Sequence, residues 1–177
     1  MRDGTDGGWR IPTGAELLAS LGSGSVPADS TSSRFLECAH RLLRHHREQW
    51  HSEDEVRRCY GDDGVVAALK RKIDAMNAAR VPLVEDVDDL VAGHVPPPAD
   101  VTPMHTETLG SVVDRLTIAF IRAEVFRASR PGHARQLLAE QQLDELAHAY
   151  DDLVHELAAG TRRVPAWRVL KAYGNSC

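Results

Sequence analysis

Residues 104–120 read MHTETLGSVVDRLTIAF, an apolar run that opens on His105, Glu107, Ser111, Asp114 and Arg115. The run has helical spacing: Asp114 falls in register with Ile118, Ile121 and Val125, and Arg115 with Ala119 and Phe126. A helix is expected from Ser111 to about Ala128, with Asp114 three residues on as the acid of a capping box. The register nevertheless turns Asp114 inward. An unpaired polar group in a core costs about 1 to 3 kcal/mol and an unpaired charge more, so this stretch needs partners from other helices.

Two further helices show the same interruption. One begins after Ser32 or Ser33 as cap, runs from Arg34 to about Val56, and carries Leu36, Ala39, Leu43, His46, Trp50, Glu53 and Arg57 on one stripe. The other follows the GDDG turn at 61–64, with Asp62 or Asp63 as cap, and carries Val66, Leu69, Ile73, Asn77, Arg80, Val84 and Val87. His46, Asn77, Arg80 and Asp114 therefore interrupt three apolar faces, and the simplest reading is that they meet in a polar pocket. The plainer reading is a satisfied structural network, with Arg80 on Asp114 or Glu53.

The remaining segments complete an all-α bundle of about five to six helices. Thr13 caps a short helix, GAELLASL, ended by Gly22. Pro82 predicts a kink near 78–81, and HVPPPADVTPM at 94–104 reads as a proline-rich crossover loop. RPG at 130–132 breaks the chain before a long helix over 133–159 that stops at Gly160, and Pro165 opens a last short helix, AWRVLKAY. We divide the chain into an N-terminal irregular segment with a short helix, 1–33, and a single helical-bundle domain, 34–175.

A net charge of -5 argues against nucleic acid, which requires a basic surface. Three cysteines without CxxC spacing indicate neither a disulfide framework nor a zinc knuckle. With no signal-like or membrane-spanning apolar run, a cytoplasmic protein without membrane or nucleic-acid partners is expected, homodimeric through its long helices.

His51-x-Glu53 and His105-x-Glu107 form a duplicated His-x-Glu element. On a helix, positions i and i+2 point about 200° apart, so the first copy cannot chelate one ion. Acid-base chemistry suits the second copy better: imidazole is the side chain suited to proton transfer near neutral pH, and Glu107 or Asp114 could orient that of His105. Cys59 lacks a histidine partner, and His40, His45, His94, His133, His148 and His155 read as surface or capping residues.

WHSED at 50–54, KRKIDAMNAAR at 70–80 and HTETLGSVVDRL at 105–116, with the tail AEQQLDELAHAYDDLVHELAAGTRRVPAWRVLKAYGN, resemble the bacterial domain of unknown function 4254 family over about residues 36–175. The resemblance implies an all-helical fold without an established reaction. It points to Trp50, Glu53, Asp54, Lys70, Asp74, Asn77, Arg80, Glu107, Ser111, Asp114 and Arg115 as positions to test. Leu109, Pro82 and Gln142 depart from the family's usual proline, acidic residue and arginine. The HTETLG form and Ala/Arg-rich composition resemble an actinobacterial branch found among biosynthetic genes.

The leading expectation is a cofactor-free, non-redox acid-base enzyme, of cyclase, isomerase, lyase or hydrolase type, acting on an anionic small molecule in bacterial natural-product biosynthesis. His105, Glu107, Asp114 and Arg115 are its expected catalytic set; His46, Trp50, Glu53, Lys70, Asn77, Arg80 and Ser111 are its expected substrate-binding set, with no metal. Two alternatives stand beside it: a non-catalytic ligand-binding or scaffold protein, and a metal enzyme using His105, Glu107 and a residue of the 51–54 element.

Overall fold

A computed structural model describes residues 9–28, 32–59, 61–95, 99, 101–129 and 131–166. Among the described residues the chain forms five α-helices: α1 (Gly14–Ser23), α2 (Ser33–Arg58), α3 (Asp63–Ala92), α4 (Leu109–Ser129) and α5 (Ala134–Ala158). The expected final helix after Pro165 lies outside the described residues. No helix is long and apolar enough to cross a membrane among the described residues.

The helix ends follow local chemistry, with some departures from expectation. Thr13 and Glu16 form a reciprocal capping box on α1, which ends two residues later than expected, at a left-handed Gly24 instead of Gly22. Asp62 caps α3 by accepting from the amides of Gly64 and Val65. Ser32 stands at the start of α2 but makes no side-chain cap; its hydroxyl donates to the Arg10 carbonyl instead. α4 begins two positions earlier than expected, at Leu109. Thr108 Oγ1 accepts from the Ser111 amide at 3.1 Å, which relieves Asp114 of any capping role.

α3 is continuous through Pro82 and over residues 78–81. Pro82 and Ala78, whose carbonyl loses its usual donor, are both exposed, so water can serve that carbonyl.

α2 packs on α3 and α4, α4 on α3 and α5, and α1 on α2 and α5. Phe35, Leu42, Leu43, Leu116 and Tyr150 are essentially fully buried, and Leu17 and Leu21 bring α1 into the same core. Tyr150 donates to the Pro12 carbonyl at 2.9 Å, and Asp151 accepts from the Gly14 amide at 2.7 Å, so α5 holds the entry to α1. The crossover loop is tied to the chain after α5: the His105 amide donates to the Arg163 carbonyl and the Arg163 amide to the Pro103 carbonyl.

α3 is buried only near its end, at Val87 and Val91. There the first turn of α4 comes close: the Gly110 amide donates to Asp88 at 2.7 Å, and a Cβ on Gly110 would lie 2.3 Å from the Val84 carbonyl oxygen. Gly110→Ala should therefore cost at least about 2 kcal/mol, since backbone on both sides must move. Gly22→Ala, whose Cβ would meet only Phe120 at 3.9 Å, should instead raise the melting temperature by removing a helix-interior glycine. Thermal denaturation of the two variants measures both effects.

Candidate functional site

The inward register of Asp114 is realised at the junction of three helices. Asp114 and His46 are 9% and 6% exposed. Asp114 Oδ1 lies 2.7 Å from His46 Nε2 of α2, and Oδ2 lies 3.5 Å from Arg80 Nη1 of α3. A carboxylate only accepts, so the proton of a neutral His46 belongs on Nε2 and its Nδ1 keeps a lone pair. No hydrogen bond to Nδ1 is made among the described residues.

Beside this pair lies a cavity of about 230 Å³. His46, Gln49, Trp50 and Glu53 of α2 form one wall; Arg80 of α3 and Ile118, Ile121 and Arg122 of α4 form the others. Gln49 Nε2 donates to Glu53 at 3.3 Å and to Asn77 Oδ1 at 3.2 Å, so Asn77 supports the wall from behind. Glu53 as a carboxylate fixes the orientation of that amide, which leaves Gln49 Oε1 buried without a donor. The Arg122 side chain is exposed and has no partner among the described residues.

The expected residues divide into two groups. His46, Trp50, Glu53 and Arg80 line the cavity, Asp114 is paired with His46 and Arg80, and Asn77 bonds the cavity residue Gln49. His105, Glu107, Arg115, Ser111 and Lys70 do not line it. His105 Nδ1 faces the backbone of Glu107, and Glu107 carries an ion pair with Arg115. Ser111 bonds to Thr108 at the helix start, and Lys70 is exposed. Gln49 and Arg122 were not anticipated, although Gln49 stands three residues after His46 and Arg122 four after Ile118, both on faces already in use.

Among the described residues no group of three or more His, Cys, Asp or Glu side chains converges as metal ligands would.

Two histidines read as surface or capping residues are interior. His40 is buried and bonds Ser20 Oγ at 3.0 Å, and His45 is half-buried beside His46, its Nε2 without a partner among the described residues. Burial, first of all, and then the neighbouring His46 hold the His45 pKa below its ordinary value; Arg80 lowers it further while Glu48 and Asp114 oppose. The folded chain thus resists a proton that the unfolded chain accepts near pH 6.5, so stability should fall as pH drops below about 6.5. His45→Gln should flatten that slope between about pH 7.5 and 5.5, as read by urea denaturation at a series of pH values. Asp114→Ala should cost about 3 to 5 kcal/mol in the same assay, because it leaves buried His46 without its acceptor.

Comparison with known proteins adds one match. Residues 36–166 match the family model described as protein of unknown function (DUF4254). No curated protein and no solved structure matches the chain.

Proposed function

This chain belongs to the DUF4254 family of proteins of unknown function, and we propose that it is a non-redox acid-base enzyme acting on an anionic small molecule. The observation that carries the reading is the buried His46–Asp114 pair set into the wall of a cavity that also presents Glu53, Arg80 and Arg122. Within it, His46 takes or delivers the proton. Asp114 orients the ring and stabilises the imidazolium once formed, in the way a buried carboxylate serves a catalytic histidine. Arg80 and Arg122 supply positive charge for a carboxylate or a developing oxyanion, and Glu53 is a second proton-handling group on the same wall as His46.

The proton-handling role passes in this proposal from His105 and Glu107 to His46, because the former pair is engaged with its own loop backbone and with Arg115. A place in bacterial specialised metabolism belongs to the same proposal, on the strength of the family resemblance alone.

A ligand-binding or scaffold role without chemistry is favoured by one observation: the Arg80–Asp114 and Gln49–Asn77 links tie α2, α3 and α4 together as a structural network would. Proton exchange separates the two readings. A panel of 2-oxo, 3-oxo and 2-hydroxy carboxylates in D2O, followed by proton NMR, should show enzyme-dependent loss of a C–H signal in at least one member. His46→Asn, which keeps a donor for Asp114, should slow that loss at least about 100-fold while melting within a few degrees of the parent. Exchange no faster than buffer across the panel, or equal exchange in His46→Asn, would leave the binding role in its place.

A further inference from the structure

The cavity does not end at α4. Ile118 and Arg122 line it on one side, and on the other they line a second depression of about 390 Å³ between α4 and α5. Arg115 and Glu145 stand at this second space, and its walls include Ala119 of α4 with Ala139, Leu146 and Ala149 of α5. The small side chains of Ala119, Ala139 and Ala149 in this lining leave room for a groove that larger side chains would fill. One ridge, carrying Arg122, a cation without a partner among the described residues, therefore joins a polar chamber to an apolar trough.

Resting on the acid-base reading, we propose that the substrate is an amphipathic 2-hydroxy or 2-amino carboxylate, its polar head in the His46 cavity and its apolar tail in the α4–α5 groove. The carboxylate meets Arg80 and Arg122. The hydroxyl or amino group donates to the carboxylate of Glu53, which lines the same cavity. The tail crosses Ile118 and runs along Ala119, Leu146 and Ala149, removing apolar surface from water in proportion to its length.

Three probes test this on the whole chain by isothermal titration or NMR: 2-hydroxyoctanoate, lactate with the same head and no tail, and octanoate with the tail and no hydroxyl. 2-Hydroxyoctanoate should bind at least about tenfold more tightly than either. Ala149→Trp, at an exposed position on the groove wall, should bring its affinity down to that of lactate and leave lactate binding unchanged. Arg122→Ala should weaken all three. Equal affinity for 2-hydroxyoctanoate and lactate, no effect of Ala149→Trp, or no binding by any probe overturns the proposal. Failure of the acid-base reading shows separately, as absence of His46-dependent exchange across the wider panel.

Discussion

The carboxylate of Asp114 is the constraint on which the arrangement of α2, α3 and α4 depends. A charge on the inner face of an apolar helix survives burial only with close compensation. That compensation comes from one residue on each neighbouring helix, His46 at 2.7 Å and Arg80 at 3.5 Å. Sliding any of the three helices by a residue would strand the charge. The close approach at Gly110, where α4 starts against Val84 and Asp88 of α3, fixes the same alignment one turn away. The polar contact and the absent side chain thus act together: one rewards the register and the other permits the distance.

The same junction marks a gradient of burial. Along α2, Leu42, Leu43 and His46 are buried, Gln49, Trp50 and Glu53 are half-buried, and the last turn is largely exposed. Along α3 the gradient runs the other way, from exposed and half-buried positions before Arg80 to Val87 and Val91 in the core. The cavity lies where the two gradients cross. Its inner wall is dry enough to strengthen the His46–Asp114 interaction, while Arg122 at its outer edge meets water. A group that must be oriented and a group that must capture a charged ligand from solution have opposite needs, and this position supplies both.

Much of this was legible before the fold was known. Helix limits followed from capping residues at Thr13, Asp62 and Gly160 and from the apolar period, both local properties of the chain. The interruption of three apolar stripes by His46, Asn77, Arg80 and Asp114 indicated a meeting point, because buried polar groups must find one another. Other features were misread where local and distant effects compete. Asp114 three residues after Ser111 mimics a capping box, yet Thr108 holds that amide. His40 and His45 resemble surface histidines in a segment rich in Arg and Glu, and only helix packing turns them inward.

The sequence by itself determined an all-helical chain and the inward register of Asp114, since both follow from spacing along a single helix. Tertiary structure alone decided which titratable groups share a cavity. His105 and Glu107 sit in a loop whose course is set by backbone hydrogen bonds to Arg163, far along the chain, and these hold the pair away from His46. The pairing of Arg122 with the His46 cavity and the groove toward α5 likewise arise from how alanine-lined helix faces pack, a property of three-dimensional contact that no periodicity encodes.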